Sequence, residues 1–235
     1  MGETKDIWNA GAGQFMRIEH TSQKEILHPR LAAMVNQCAP GRMLDFGCGD
    51  GRILDAIDPA IEISVFDTSS TMLQLVQERS GGRLKNIYAH GEAMPSGYFD
   101  LVLMSMVMIC LRDQAELDGA FQTMARVARS GADVIIATSH PCFRQYDFSN
   151  YYTSFGRGQT LDYLKPALPF QVTLEDSPTS TVTFTDYHWS LSDTVNAIAR
   201  AGLSIVEMIE PPDDIQHPRA NKNLPTFLII KTKRT

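Results

Sequence analysis

Cysteine is scarce in this 235-residue chain, and the four present, Cys38, Cys48, Cys110 and Cys142, form no Cys-x-x-Cys pair. That spacing excludes a zinc ribbon and a dithiol redox motif, and it points to free thiols in a reducing compartment. The six histidines are scattered without a His-Glu-x-x-His, so no metal site is expected. Positive charge is in deficit: 21 Lys and Arg against 27 Asp and Glu give a net charge of −6. Bulk charge therefore speaks against a nucleic-acid groove. The longest apolar stretch, Leu101 to Leu111, is too short to cross a bilayer. No basic segment followed by an apolar run opens the chain, so no export signal is expected, and the expected location is cytoplasmic. Repeats and low-complexity tracts are absent. What remains is ordinary. The chain is 43% hydrophobic and 20% charged, in a length that suits one α/β domain or a domain with an inserted cap.

The stretch that organises the chain is Arg42-Met-Leu-Asp-Phe-Gly-Cys-Gly-Asp-Gly51. Apolar residues suited to a buried strand break into three glycines at alternate positions, Gly47, Gly49 and Gly51, and a helical start follows at Ile53-Leu54. Strand, glycine turn and helix let a backbone come close to a small molecule, because no Cβ stands between them. The spacing is neither Gly-x-Gly-x-x-Gly nor a phosphate loop ending in Gly-Lys-Ser/Thr. An acid, Asp45, sits two residues before the first glycine. It would repel a pyrophosphate and suits a ligand with a cationic group.

Around this turn the chain alternates strand and helix. Ser22-x-x-Glu25 reads as a capping box ahead of Leu27, Leu31, Met34, Val35 and Cys38, and Pro40-Gly41 stops that helix. His28, just before Pro29, reads as a surface or capping residue. Strands are expected at 42–46, 63–67, 87–91, 99–107 and 133–140. Helices are expected between them, one capped by Asp113-x-x-Glu116 and running to Ser130-Gly131. The near-continuous apolar run from Phe99 to Val107 marks a strand buried on both faces of a parallel sheet, with Met104 in the core and Met106 lining the site. Asp67 ends the second strand at the spacing of a ribose-binding acid; the alternative is a helix N-cap. No hairpins interrupt these elements, which predicts parallel strands with helices on both faces.

Residues 141–189 break the alternation. They hold Phe143, Tyr146, Phe148, Tyr151, Tyr152 and Phe155, then two alternating runs, Phe170–Leu174 and Thr181–Tyr187, that read as a β-hairpin. The insertion follows the carboxyl end of the fifth strand, where doubly wound folds bind ligands. It reads as a substrate cap, with a dimer interface as the alternative. A helix from Ser192, with Val195, Ile198 and Ala199 on one face, leads to strands at 203–210 and 225–231. Joined by a loop without a helix, these should pair antiparallel.

Asp45-x-Gly-Cys-Gly-x-Gly51, with Asp67 and Glu92, resembles motif I and the two following acids of the class I S-adenosylmethionine-dependent methyltransferases. The resemblance runs from about residue 42 to the end. His140-Pro-Cys-Phe143 and Tyr187-His-Trp…Asn196-Ala-Ile-x-x-Ala-Gly202 look like its small-molecule "type 11" branch, which includes quinone and natural-product enzymes. The fold it implies is a Rossmann-like seven-stranded sheet, order 3-2-1-4-5-7-6 with the last strand antiparallel, in one domain over 1–235. Residues 1–40 are an N-terminal helical lid and 141–189 the substrate cap. The implied cofactor is S-adenosylmethionine, held by Asp45, Gly47, Cys48, Gly49, Asp67, Thr68, Met72, Gly91, Glu92, Ala93, Ser105 and Met106. Asp67 would bind the ribose and Glu92 the adenine amino group. Phe15 replaces a tyrosine often seen in the lid, which leaves Arg17 or His20 to meet the cofactor carboxylate.

The implied reaction is in-line displacement at a sulfonium methyl, with the nucleophile fixed about 3–3.5 Å away. Candidate bases are His140, at the end of the fifth strand, and His188, in the cap; each also has a structural alternative. Trp8, Phe15, Tyr152 and Trp189 are expected to line the acceptor pocket, which suits a flat, aromatic or heteroaromatic small molecule. No nucleic-acid or membrane partner is expected, and the chain is expected to be a monomer or homodimer. The rival readings are a tRNA- or RNA-modifying methyltransferase, a non-catalytic binding module of the same fold, and a nicotinamide oxidoreductase, which the glycine spacing disfavours.

Overall fold

The computed structural model describes residues 13, 18, 20–157, 159–177, 180–217 and 220–235. Trp8, Phe15 and Arg17, expected at the ligand site, lie outside them. Seven strands form the main sheet: β1 (Arg42–Phe46), β2 (Glu62–Phe66), β3 (Leu84–Tyr88), β4 (Phe99–Ser105), β5 (Ala128–Ser139), β9 (Leu203–Ile209) and β10 (Phe227–Arg234). Their order is β3-β2-β1-β4-β5-β10-β9. All pairs from β3 to β5 are parallel, and β10 runs antiparallel to both β5 and β9. Because β9 and β10 are the sixth and seventh strands of this sheet, the order is the expected 3-2-1-4-5-7-6.

Side-chain alternation along the central strands feeds two apolar layers. Val102 and Met104 of β4 and Val134 and Ile136 of β5 pack with α3 (Gln114–Val127) and α4 (Leu191–Arg200). Leu101, Leu103, Ile135 and Ala137 face the other way, onto α1 (His28–Cys38) and α2 (Ser70–Ser80). Met104 is fully buried, as expected.

Helix ends follow local chemistry. Ser69 accepts from Met72 N and caps α2, and Asp113 accepts from Glu116 N and caps α3. At α4, Ser190 and Asp193 form a reciprocal capping box, two residues ahead of the expected start. The expected box at Ser22 is not formed. Ser22 has helical φ and ψ of −62° and −38° and caps nothing, because a π-helical turn, Gln23–Leu27, already leads into α1.

Other boundaries also differ from the sequence reading. β3 begins at Leu84, where Leu84 pairs with Ile63, and not at Ile87. β5 begins at Ala128, directly after α3, because Ala128 already pairs with Phe99; Gly131, with φ +75°, lies inside the strand. On α4 the buried residues are Thr194, Ala197 and Ile198, and Ala199 is exposed. β10 continues to Arg234, paired with Leu203.

The insertion after β5 forms a separate antiparallel sheet: β6 (Tyr151–Ser154), β7 (Leu168–Ser177) and β8 (Ser180–His188), in the order β6-β7-β8. The β7–β8 hairpin was expected. β6 was not, since its aromatic sequence carries no alternation. Its Tyr151 lies opposite Leu174 of β7. Among the described residues no helix is long and apolar enough to cross a membrane, and no group of His, Cys, Asp and Glu is arranged to hold a metal.

Candidate active site

β1 delivers its chain into the glycine turn at the carboxyl edge of the sheet. Gly47 N and Cys48 N both donate to Phe66 O, at 2.7 and 3.0 Å, so the turn is tied to the end of β2. Gly47 has φ +76°, and a Cβ there would come 2.3 Å from Val107 Cγ2. Gly49, at φ +53°, would point a Cβ into open space. One glycine therefore permits packing of the β4 end on the turn, and the other keeps a surface clear. Gly49 N donates to Asp67 Oδ2 at 3.0 Å, and Ser69 N donates to Asp67 Oδ1 at 2.8 Å. The N-cap role considered for Asp67 falls to Ser69, so the carboxylate keeps lone pairs for a ligand.

This turn is one wall of a cavity of about 640 Å³, a size typical of small-molecule sites. Asp45, Gly47, Cys48, Gly49, Asp67, Thr68, Met72, Gly91, Glu92, Ser105 and Met106 all line it. Ala93, also expected there, does not. It sits exposed in a 3-10 turn with its N–H donated to His90 O. Met106 holds φ +59°, a conformation a non-glycine side chain seldom adopts, at the point where β4 turns along the cavity.

Asp45 is 2% exposed, and its Oδ2 has no hydrogen-bond partner. Burial, and then the nearby charge of Asp67, push its carboxyl up to about 7. An orphaned buried carboxylate at a cavity wall is costly unless a ligand satisfies it. A ligand ammonium would do so, and the open face of Gly49 and the spare lone pairs of Asp67 suit a ribose beside it. These residues fit S-adenosylmethionine. The Cys48 thiol is held well above its usual range by burial and by the carboxylates around it, so it is no nucleophile.

Several wall residues escaped the sequence reading. His28, read as a surface or capping residue, follows the π-helical turn and lines the cavity. Burial, then the positive charge of Arg52, lower its pKa to about 4. Arg52 donates to Asp50 Oδ2 at 2.8 Å and to Ile18 O at 3.4 Å, which ties the segment before α1 to the glycine turn. Arg126 donates to Gly91 O at 2.8 Å and Met94 O at 2.9 Å and so fixes the turn that carries Glu92. Gly119 lines the cavity from within α3, and a Cβ there would meet nothing. A glycine in a helix interior was the one sequence signal available for that wall.

None of the residues expected on the acceptor side that the structure describes lines this larger cavity. Trp189 is fully buried in the core, where its Nε1 donates to Leu111 O at 3.1 Å, so it lines no acceptor pocket. Tyr152 lies opposite Thr173 on the face of β6 turned away from Tyr151, and it lines neither this cavity nor the smaller one beside it. His188 is fully buried, with Nε2 2.9 Å from Tyr163 O, and burial lowers its pKa to about 4. His140 faces a small neighbouring cavity of about 30 Å³. Its Nε2 donates to Glu210 Oε1 at 2.6 Å and its Nδ1 accepts from Cys142 N at 3.3 Å. Both ring nitrogens are engaged, and burial lowers its pKa against the pull of Glu210. His140 is thus a structural pin between the cap and the end of β9.

Residues 43–131 match the model of a family described as a methyltransferase domain. No curated protein matches the chain by sequence. Among solved structures, an S-adenosylmethionine-dependent methyltransferase from Clostridium acetobutylicum is 13% identical, with 88% of this chain and 89% of that one covered and a TM-score of 0.60. The N-methyltransferase NodS from Bradyrhizobium japonicum is 13% identical, with 92% and 97% covered and a TM-score of 0.59. An amino pentose methyltransferase from Micromonospora echinaspora, solved with S-adenosylmethionine bound, is 14% identical, with 88% and 90% covered and a TM-score of 0.56. At these identities the structures establish the shared fold. The domain match over the glycine turn and its two acids makes residues 43–131 a methyltransferase domain, and its fold is that of the S-adenosylmethionine-dependent methyltransferases. The methyltransferase domain supports an enzyme.

Proposed function

We propose that the enzyme methylates a small, aromatic or heteroaromatic metabolite at a nitrogen that already carries its lone pair. The observation that carries this reading is the small cavity beneath the cap. Its wall shares His20, Gln23 and Met106 with the cofactor cavity, and Phe143, Phe148 and Tyr151 close it from the cap. At about 30 Å³ it admits only a small group of an acceptor whose body lies in the larger cavity, which suits a small molecule better than a polynucleotide, and the net charge of −6 agrees.

When bound, S-adenosylmethionine supplies an electrophilic methyl group on a sulfonium. The protein's part is binding, orientation and exclusion of water. Asp45 would hold the ammonium, Asp67 the ribose hydroxyls, and Glu92 the adenine edge. Val107 and Gly47 pack to set the floor between β1 and β4, and Met106 separates the cofactor side from the acceptor side. A strong general base is not part of the design. His140 has no free nitrogen, and His28, with a pKa of about 4, is a weak base at neutral pH. Positioning therefore dominates, which favours a neutral amine or ring nitrogen over a phenol. We place the protein in the cytoplasm, as a monomer or homodimer.

The test is calorimetric titration with S-adenosylmethionine and S-adenosylhomocysteine, followed by a screen of aromatic amines, azaheterocycles and phenols for mass gain of one methyl group. Methylated amines or azaheterocycles are the expected products. Methylation of phenols alone, or of tRNA alone, rejects the reading.

A further inference from the structure

One side chain under the cap has more bonding capacity than the fold uses. Arg144 is 2% exposed and lines the small cavity. Its Nη1 donates to Ser139 Oγ at 2.7 Å, and Thr153 Oγ1 donates to its backbone carbonyl at 2.6 Å. The guanidinium stands 5.4 Å from the centre of the Phe170 ring. Three elements thus fix its position. Nε and Nη2 have no hydrogen-bond partner. Those two nitrogens share one edge of the guanidinium, the edge whose parallel N–H groups match the two oxygens of a carboxylate.

The protein's own carboxylate does not fill that edge. Asp186 lies opposite Phe170 across the β7–β8 ladder and is 1% exposed, yet neither of its oxygens is hydrogen-bonded. Burial pushes its carboxyl up to about 7, against the attraction of Arg144, so near neutrality it is protonated in much of the population. An arginine stays charged in proteins, and a buried, half-satisfied guanidinium is expensive. Its place in the wall of a chamber next to the cofactor gives that expense a use.

We propose that Arg144 anchors a carboxylate on the methyl acceptor, the carboxylate reaching the small cavity past His20, Gln23 and Met106 while the ring stays in the larger one. The inference rests on the small-acceptor reading above and narrows it to aromatic or heteroaromatic acids. Arg144 acts here as a binding residue that sets specificity; no bond changes at it.

The experiment uses the full chain loaded with S-adenosylhomocysteine. Binding of benzoate, anthranilate and nicotinate is measured by calorimetry or ligand-observed NMR, each against its neutral carboxamide. The acids are expected to bind at least about tenfold more tightly than the amides, since charge-assisted paired bonds are the stronger kind. Arg144→Gln is expected to erase that preference while leaving S-adenosylhomocysteine affinity intact, and Asp186→Asn to preserve it. Should Arg144→Gln fail to fold, Arg144→Lys keeps the charge, loses the fork and is expected to weaken acid binding about tenfold. Equal binding of acids and amides, no binding of any acid, or an acid preference that survives Arg144→Gln or stays at full strength in Arg144→Lys overturns the proposal. Failure of S-adenosylhomocysteine itself to bind is a different result, and it strikes the methyltransferase reading.

Discussion

The glycine turn and the cap both bury charge, and they do so in opposite ways. At the turn, Asp67 is met by two backbone N–H groups, and the one orphaned oxygen, on Asp45, faces an open cavity. In the inserted sheet region, Arg144 and Asp186 are both buried with unmade bonds, and Arg144 lines a space of about 30 Å³. The first arrangement is a site held open by backbone geometry. The second is a site held closed by side chains. On the proposed reading, cofactor recognition is built into the backbone, whereas acceptor recognition depends on what enters and completes it.

The sharpest way to break the first half of that contrast is Asp67→Ala. Losing two charge-assisted bonds to a ribose, at roughly 1.5–3 kcal/mol each, should weaken S-adenosylhomocysteine binding by about two to four orders of magnitude in a calorimetric titration. Undiminished affinity would remove Asp67 from the site.

Next in size is a pair of glycine variants. Gly47→Ala forces a left-handed backbone on alanine and drives its methyl into Val107. A loss of about 2–5 kcal/mol on urea unfolding is expected, from the backbone and overpacking terms together. Gly49→Ala meets no atom. It should cost only about 1–2 kcal/mol of stability, the backbone part alone, while clearly lowering cofactor affinity. Equal losses of stability in the two variants would contradict the division of labour between these glycines.

A pH series sharpens the same site. The Asp45 carboxyl must be ionised to meet an ammonium, so affinity should be flat above about 7 and fall about tenfold per unit below it. Asp45→Asn should flatten that slope. The stability of the ligand-free protein carries the opposite sign. A carboxyl whose folded pKa lies above its unfolded value holds its proton longer in the folded state. Its contribution therefore declines as pH rises from about 4 to about 7, and a melting series on the same variant checks this.

The smallest effect is expected at Trp189→Phe, which removes the bond to Leu111 O from a packed core. Stability should drop by about 1–3 kcal/mol, with acceptor KM unchanged. A raised KM without loss of stability would return Trp189 to the acceptor pocket.

The turn was readable from sequence because its chemistry is local. Three glycines, a preceding acid and two acids at strand ends lie within 48 residues, from Asp45 to Glu92, and periodicity supplied the strands between them. The sheet order followed from the same alternation. What stayed hidden depends on distant partners. Trp189 looks like a ligand-lining aromatic until Leu111, 78 positions away, claims its N–H. Arg126 drew no attention in the sequence, because its guanidinium reaches Gly91 O, 35 positions back. His28 lines the cavity directly after a π-helical turn that the expected capping box at Ser22 did not foreshadow. β6 went unseen because Tyr151-Tyr-Thr-Ser154 carries no apolar–polar alternation, and its place is set by β7.

The position of β10 has a consequence for how the chain comes to be folded at all. This strand lies between β5 and β9, but in sequence it starts at Phe227, 88 residues after β5 ends at Ser139. Until it arrives, β5 presents an open apolar edge, Val134 to Thr138, beside its neighbour β4. At a synthesis rate of roughly 5–20 residues per second, the nascent chain carries that unpaired edge for about 4–18 s while the cap and α4 are made. Such an edge is a template for pairing with another chain. The period before β10 inserts is therefore the vulnerable interval of biosynthesis, and it coincides with the emergence of the aromatic cap.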